Sequence, residues 1–482
     1  MSGTFAEAVP RPILLRKWRR GGREWAPTLI RRYQFGAIDL LIVFLALQFL
    51  IPARLVISGM GSVGRPSVAW GLLLAFLWVV AAFRPLSLPR GAQPIRWALC
   101  LFLAVQLVGY ATGYGRLLPV IEARSADRWL IYITSMVAVG LTVVDGIKSR
   151  EQLDRLLKAV IGFASVMAAA GTLQYFRIVD VTRYIQVPGL GRNSDLIGVG
   201  VRGDGGFARV AGTATHYIEF GVVLALILPL ALHYAFHAPR GRRVLQWALV
   251  GLIAGSIPFS ISRAAIVTVA VTTVLMFAVW KWRIRYNAIV LGVVAGGIFH
   301  VINRGLLGTI KSLFSNVDND PSIQGRLGDQ AYVMAMFAER PLLGRGAGTV
   351  MPSRYILLDN QFFGMLLAGG LLGIFGFVAL FAAAYMVARS IRLRAPHEES
   401  RHLGQALAAG TAGAFVASGT FDSLAFPTFT GVLFILVGAT GALWRLDQVR
   451  PTHSMQGAAT DRFMGKPLMA DVREPVSQTE RR

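Results

Sequence analysis

The chain has 482 residues, of which 54% are hydrophobic and only 15% are charged, and its mean hydropathy is +0.55. Soluble domains carry about 25% charged residues, so this composition excludes an ordinary soluble protein. A formal net charge of +24 would indicate a nucleic-acid partner in a soluble protein, but here membrane topology explains much of it, and no nucleic acid is expected.

Apolar runs close to the ~20 residues that span a bilayer recur along the sequence. Because lipid cannot hydrogen-bond to the backbone, spanning segments are helices or a closed barrel, and continuous apolar runs indicate helices. The sequence therefore predicts an all-α, polytopic membrane protein with about twelve transmembrane helices. The predicted segments are 37–52, 67–83, 95–112, 128–145, 154–176, 215–236, 244–258, 264–280, 287–303, 360–388, 403–419 and 427–444.

The positions of Lys and Arg predict the orientation, because cytoplasmic connections carry an excess of these residues. With twelve helices, the basic connections fall on the side that holds both termini, which is then the cytoplasm. The predicted organisation is a basic cytoplasmic tail (1–36), one transmembrane domain (37–444) and a cytoplasmic tail (445–482). The basic connections contain Arg84 and Arg90; Lys148 and Arg150; Arg240, Arg242 and Arg243; Lys281, Arg283 and Arg285; and Arg389, Arg392 and Arg394.

Two predicted outer connections are long, 177–214 and 304–359, and the second precedes the tenth helix. Long connections are usually functional or disordered. A short amphipathic helix is expected in the second, from about Arg326 to Glu339, ended by Pro341. Both are rich in arginine, which reflects either base composition or an anionic substrate, since Arg binds phosphate in a bidentate manner. These arginines are Arg177, Arg183, Arg192, Arg202 and Arg209, then Arg304, Arg326, Arg340, Arg345 and Arg354.

Three short motifs place ionisable residues at the outer ends of predicted helices. In RVAGTATHYIEFG, His216 and Glu219 lie three residues apart and share one helix face. Glu219 complements the helix N-terminus, or serves in catalysis with His216. In FSISRAA, Arg263 is either an interfacial arginine whose head reaches water or a ligand-binding group.

The third motif, DNQFFGMLLAGGLLG, begins with Asp359 and Asn360. Either residue would be an ordinary N-cap for the helix that follows, and a catalytic role for Asp359 does not exclude this. All three motifs stand at N-termini of helices that run inward. Helix N-termini carry partial positive charge and free N–H donors, so together they would form an outer anion site that fits a pyrophosphate.

The seven histidines are scattered without zinc spacing, so no metal site is predicted. There is also no Walker motif to couple transport to ATP, and no cofactor is expected.

At RVAGTATHYIEFG, SISRAA, PLLGRGAGT and DNQFFGMLLAGGLLG the chain resembles the O-antigen ligase and polymerase family of bacterial membrane enzymes, over roughly 205–380. The resemblance implies a metal-independent glycosyltransferase of the bacterial inner membrane. Such an enzyme passes a polyprenyl-diphosphate-linked sugar chain to an acceptor hydroxyl at the outer face, with other polysaccharide-assembly proteins as possible partners. By the same resemblance, Arg209 and Arg263 match the arginines that hold the donor diphosphate. We add Arg326 and Arg345 as candidates for that role.

One departure concerns the ligase branch. In that branch a His-Asn or similar pair is followed by nine residues and then by Gly-x-x-Gly. Here the nine residues and Gly370-Leu371-Leu372-Gly373 are present, but Asp359 stands at the position of the histidine. Without this histidine, a polymerase or a ligase with another acceptor is favoured. Asp359, Glu219 and His216 are the candidate catalytic residues, and Asn360 would orient the acceptor. Two rivals remain: a flippase for a lipid-linked saccharide, since twelve helices with both ends inside is a common transporter plan, and a non-catalytic assembly partner.

Overall fold

The computed structural model describes residues 36–84, 88–89, 91–192, 200–202, 207–302 and 321–448. Most of both predicted tails and parts of the two long connections predicted to be outside lie beyond these residues. The described chain is mainly helical. Its helices are α1 (Ala37–Phe49), α2 (Pro66–Phe83), α3 (Pro94–Tyr114), α4 (Val120–Gly146), α5 (Arg150–Tyr175), α6 (Tyr217–Phe236), α7 (Arg243–Ser256), α8 (Arg263–Phe277), α9 (Trp282–Ile302), α10 (Pro321–Glu339), α11 (Gln361–Arg394), α12 (Glu398–Ser418) and α13 (Pro427–Gln448).

Each of the twelve predicted segments coincides with one of these helices, so the all-α, polytopic class is confirmed. Nine helical segments in the described chain are long and apolar enough to cross a membrane. The other three are α1 with 13 residues, α8 with 15, and α12, whose first turns carry charged residues. The count of twelve, and the orientation that depends on it, therefore stay predictions.

Helix α4 begins eight residues earlier than the predicted segment 128–145. Its first two turns are polar, so hydropathy alone missed them. Glu122 in the first turn is buried and forms an ion pair with Arg116 at 2.6 Å. The helix predicted from about Arg326 is likewise longer, since α10 begins at Pro321 and ends at Glu339.

Within the described residues, four short strands, which the sequence does not predict, lie in the connections between helices. Strand β1 (Leu55–Val56) pairs antiparallel with β2 (Gly191–Arg192), and β3 (Gly200–Arg202) pairs antiparallel with β4 (Phe207–Arg209). The second hairpin ends at Arg209, eight residues before α6 begins. It therefore holds this arginine close to the start of α6.

The centre of the bundle is formed by α6, α13 and α4. Helix α6 is apolar on all sides and almost completely buried, as expected for a helix surrounded by others. By contrast, no residue in the most apolar stretch of α9 is buried. Large apolar side chains that face outward on α2 and α9, such as Phe76 and Val293, suit contact with lipid.

Helix α11 is interrupted at Gly370, which has φ 61° and ψ −150°. The turn at 341–346, part of the motif PLLGRGAGT, fits into this break. Four backbone hydrogen bonds of 2.8–3.1 Å join them: Arg345 N to Leu367 O, Gly346 N to Ala368 O, Leu371 N to Pro341 O, and Leu372 N to Leu342 O. The turn thus satisfies donors and acceptors that a helix break would otherwise leave unpaired.

Candidate active site

A cavity of about 560 Å³ lies at the end of the bundle where α4, α6, α11 and α13 begin. The residues 348–352 and 356–359 form one wall, and the connection between α12 and α13 forms another. Its polar lining side chains are Ser125, Arg128, Trp129, Tyr132, His216, Asp359, Gln361 and Asp422. The fold therefore brings together two of the sequence-predicted catalytic residues, His216 and Asp359, which are 143 positions apart in the chain.

Asp359 and Asn360 divide the two roles that the sequence left open. Asn360 is the N-cap of α11, because its Oδ1 accepts a hydrogen bond from Phe362 N at 2.9 Å. Asp359 is exposed and lines the cavity, and its carboxylate makes no hydrogen bond or ion pair with the described residues. Both carboxylate oxygens of Asp359 are therefore available to a ligand, whereas the side-chain oxygen of Asn360 is occupied.

Asp422 is a second carboxylate in the same cavity. It lies in the connection between α12 and α13, just before the turn at Ser423–Ala425. Burial, together with the negative charge of Asp359, raises the pKa of Asp422 to about 7. Near neutral pH this carboxyl group is therefore divided between its protonated and ionised forms.

His216 lines the cavity and caps α6, where its Nδ1 accepts a hydrogen bond from Ile218 N at 3.3 Å. Burial and the nearby Arg209 lower its pKa to about 4. The imidazole is therefore neutral at neutral pH. Since Nδ1 is an acceptor, we assign the proton to Nε2. In this state His216 offers an N–H donor and is a weak base.

Glu219 is fully buried and is absent from the described lining of the cavity. Its Oε2 accepts a hydrogen bond from Thr215 N at 2.7 Å, and its Oε1 accepts from Thr428 N at 2.6 Å and Phe429 N at 3.1 Å. The carboxylate thus joins the start of α6 to the first turn of α13. Its catalytic assignment stays a prediction, but all three contacts are structural.

Arg209 contacts the turn that directly precedes Arg263, the first residue of α8. Arg209 Nη2 donates to Ile261 O at 3.2 Å, and its guanidinium lies over the ring of Tyr217, 3.4 Å from the ring centroid. Ile261 has φ 44°, a conformation that is rare for a β-branched residue and that concentrates at functional sites. Neither arginine is in the described cavity lining, but Arg209 lies directly beside His216.

Arg345 is held in a polar network next to the cavity wall. Its Nη1 pairs with Glu339 at 2.9 Å, and its carbonyl accepts from Arg116 Nε at 2.6 Å. Tyr355 in turn donates to Glu122 Oε1 at 2.7 Å. Arg345 therefore anchors the segment 341–359, and its role in diphosphate binding stays a prediction. Arg326 lies in α10, and its side chain is outside the described part of the structure.

Sequence reasoning missed Asp422, Arg128 and Tyr132. For Asp422 a signal existed, because it is the one acidic residue between His402 and Leu446 and it lies in a short connection between two predicted helices. Arg128 begins the predicted segment 128–145, a position equivalent to that of Arg263 at α8. Tyr132 lies inside an apolar predicted helix, where a tyrosine is ordinary, so nothing in the sequence marked it as a site residue.

At the opposite end of the bundle, His233, His237 and His402 come together, with one ring nitrogen of each within 4.8 Å of the others. The sequence showed these histidines as scattered, because 169 positions separate His233 from His402. They form a hydrogen-bond chain: Trp280 Nε1 donates to His402 Nε2 at 3.1 Å, and His402 Nδ1 lies 2.9 Å from His233 Nδ1. Binding a metal through His402 Nδ1 would require the proton to move to Nε2, against the Trp280 donor.

The fold and the cavity define a multi-pass membrane protein with a polar site at one end of its helical bundle. Residues 247–378 match the O-antigen ligase family, from α7 to the middle of α11. This match over part of the chain confirms the resemblance noted in the sequence. The family implies an enzyme of the ligase and polymerase type that acts on a lipid-linked saccharide in a membrane. No curated protein matches the chain.

Proposed function

We propose that the protein transfers or polymerises a polyprenyl-diphosphate-linked oligosaccharide onto an acceptor hydroxyl, at the outer face of a bacterial inner membrane. The observation that carries the proposal is the cavity that holds Asp359 with an unpartnered carboxylate, in a chain with an O-antigen ligase domain. Surface polysaccharide assembly is the process in which such an enzyme acts.

In the proposed reaction the acceptor oxygen bonds to the anomeric carbon of the donor sugar. The bond from that carbon to the diphosphate oxygen breaks, and its electron pair stays on the leaving diphosphate. Asp359 orients the acceptor hydroxyl, and a carboxylate removes its proton. Arg209 and Arg263 neutralise the charge that grows on the diphosphate, which is usually the largest electrostatic contribution to such a reaction.

We assign Glu219 and Arg345 positioning roles. Glu219 fixes the start of α13 against α6, and Arg345 fixes the cavity wall against the end of α10. This assignment departs from the catalytic and diphosphate-binding roles expected from the sequence, and it rests on the contacts that both side chains already make.

A flippase for the same lipid-linked saccharide is the second candidate. A transporter of this kind places its charged site near the bilayer midplane. Among the described residues, the inter-helical ion pairs Arg96–Asp145, Arg155–Asp39 and Arg150–Glu399 all lie within six residues of helix ends. The polar cavity also lies at an end of the bundle, which favours the enzyme.

The purified protein in proteoliposomes tests the function directly. With a polyprenyl-diphosphate-linked oligosaccharide as the donor, we expect longer glycan chains or a glycosylated acceptor, together with free polyprenyl diphosphate. Movement of the donor across the bilayer without either product would instead support the flippase. In cells, gene deletion with loss of long surface chains and accumulation of single lipid-linked units would identify a polymerase.

We predict that Arg209→Ala lowers transfer activity by about 10²–10³-fold, because one preorganised electrostatic contact to the leaving group is lost. Arg209→Lys should keep part of the activity, since Lys retains the charge but not the bidentate geometry. Product formation and donor binding are measured at matched expression, with the exposed Arg243→Ala on α7 as the control. Wild-type turnover by Arg209→Ala would remove this arginine from the site.

The proposed orientation predicts that residues before α11 are outside and that the connection between α8 and α9 is inside. In a chain whose Cys100 is replaced, cysteines are introduced at the exposed positions Ser353 and Lys281. In spheroplasts an impermeant thiol reagent should label the cysteine at 353 and leave the one at 281 unmodified until the membrane is permeabilised. The reverse pattern would invert the topology.

A further inference from the structure

The two carboxylates of the cavity come from different elements but face the same space. Asp359 precedes α11, and Asp422 follows α12. Asp422 Oδ1 lies 3.9 Å from the point at which a Cβ on Gly364 would stand, and Gln361 Nε2 lies 3.5 Å from that point. Asp422 is therefore held against the first turn of α11, the helix that follows Asp359 and its cap Asn360. Among the described residues its carboxylate has no hydrogen-bond partner.

Two buried side chains add unused hydrogen-bonding capacity to the same cavity. Tyr132 is 5% exposed, and its hydroxyl makes no well-directed hydrogen bond to the described residues, with Thr430 as a polar neighbour. Gln361 is 2% exposed and accepts from Leu424 N at 2.7 Å through Oε1. The amide thus fixes the connection that carries Asp422, while its Nε2 group remains directed toward the space between Asp422 and α11.

Aromatic side chains complete the lining. Trp129, Phe421 and Phe426 surround the polar groups, and Phe421 is packed at 5.4 Å, centroid to centroid, against Phe429. A saccharide presents hydroxyl groups at its edge and apolar C–H groups on its faces. Carboxylates, an amide and a phenol next to aromatic rings match that pattern, whereas a single arginine, Arg128, is present among the described lining residues.

We propose that this cavity is the acceptor-saccharide subsite, and that Asp422 accepts the proton of the acceptor hydroxyl while the carboxylate of Asp359 orients that hydroxyl. The inference rests on the proposed glycosyl transfer and names the group that carries the proton. The hydroxyl O–H bond breaks, its proton passes to an Asp422 oxygen, and the new bond forms between the acceptor oxygen and the anomeric carbon. Asp422 then releases the proton to water through the open side of the cavity.

The electrostatic surroundings agree with this division of roles. Asp359, Tyr132, His216 and Arg128 are the titratable or charged groups that face Asp422 from the described elements around it. Asp359 raises the pKa of Asp422, and His216 is neutral over the working range. A general base is most effective when its pKa is close to the operating pH. Activity should therefore rise with pH as Asp422 ionises, with a midpoint close to 7.

Two variants test the assignment through the pH dependence of transfer. Asp422→Asn should lower kcat by about 10²–10⁴-fold, with donor binding unchanged. Gly364→Ala adds a methyl group at ordinary contact distance from Asp422, without backbone strain. Since the methyl group removes water from the carboxylate, the acidic limb of the profile should move to higher pH. Gly369→Ala, which meets nothing within 4 Å, should leave the profile unchanged.

The outcomes separate this inference from the function on which it rests. If wild-type protein transfers glycan and Asp422→Asn transfers it equally well, the proton acceptor is another group. Suppose instead that Asp422→Asn is inactive, the wild-type pH profile has no acidic limb near 7, and Gly364→Ala has the same pH profile as the wild type. Asp422 then has only a structural role. If the wild type itself produces no transferred glycan, the proposed function fails before the question of Asp422 arises.

Discussion

Replacing Gly370 with alanine should destabilise the protein by about 3 kcal/mol or more, because two independent penalties coincide at this position. Its φ of 61° with ψ of −150° belongs to a region that is essentially restricted to glycine. A Cβ would also stand 2.5 Å from Leu342 C and 2.6 Å from Pro341 O. These are backbone atoms of the turn inside the helix break, so neither can move away without breaking the hydrogen bonds that close it.

The adjacent glycine provides a matched control. Gly369 has no atom within 4 Å of an added Cβ, and alanine is favoured over glycine in a helix by about 1 kcal/mol. Gly369→Ala should therefore be neutral or slightly stabilising. Melting temperatures of the two variants in detergent, compared with the wild type, measure the difference, which we expect to be on the order of 5 °C or more. Equal melting temperatures would mean that the break in α11 is not a fixed feature of the fold.

The break also explains how α11 serves the site. The residues 361–369 form a separate half-helix of about 13 Å, too short to cross a bilayer. Its N-terminus carries Asn360 as the cap and Asp359 at the cavity, and its C-terminal carbonyls bond to the turn at 341–346. The motifs PLLGRGAGT and DNQFFGMLLAGGLLG are therefore two halves of one structural unit, which positions Asp359.

Hydropathy was sufficient to predict which segments form helices, but it was insufficient to predict where those helices begin and end. The twelve predicted segments coincide with observed helices, because a helix needs apolar side chains both where it faces lipid and where it packs inside the bundle. The polar first turns of α4 were missed, because Glu122 is compensated by Arg116, a partner that a hydropathy window does not see. Of the residues that line the cavity, only Ser125 lies in these missed turns, so the error hid little of the site.

The roles of the other site residues depend on contacts between residues that are far apart in the sequence. The pattern His216-x-x-Glu219 predicted two groups on one face, but only the fold shows that Glu219 is used by backbone donors of α13, more than 200 positions away. Asp422 acquires its raised pKa from burial and from Asp359, which the sequence separates by 63 positions. Local sequence could place Asp359 at a helix start, but it could not indicate that Asn360 alone is the cap.

Asp359→Asn should lower transfer activity by about 100-fold or more while the protein keeps its fold and its affinity for the donor. The fold is retained because Asn360, and not Asp359, accepts the hydrogen bond from Phe362 N. The lost negative charge also lowers the pKa of Asp422, so the acidic limb of the residual activity should move to lower pH. This direction is opposite to the one expected for Gly364→Ala.

The neighbouring residue again supplies the control for the last prediction. Asn and Asp are equally good N-caps, so Asn360→Asp should preserve the melting temperature, whereas Asn360→Ala should cost about 1 kcal/mol. We would measure rates of glycan transfer from pH 5 to 9 in membranes with equal expression, for Asp359→Asn and for the two Asn360 variants. If Asp359→Asn transfers glycan at the wild-type rate with an unshifted profile, Asp359 does not orient the acceptor. The orienting role would then pass to His216, whose neutral imidazole offers an Nε2–H donor to the cavity.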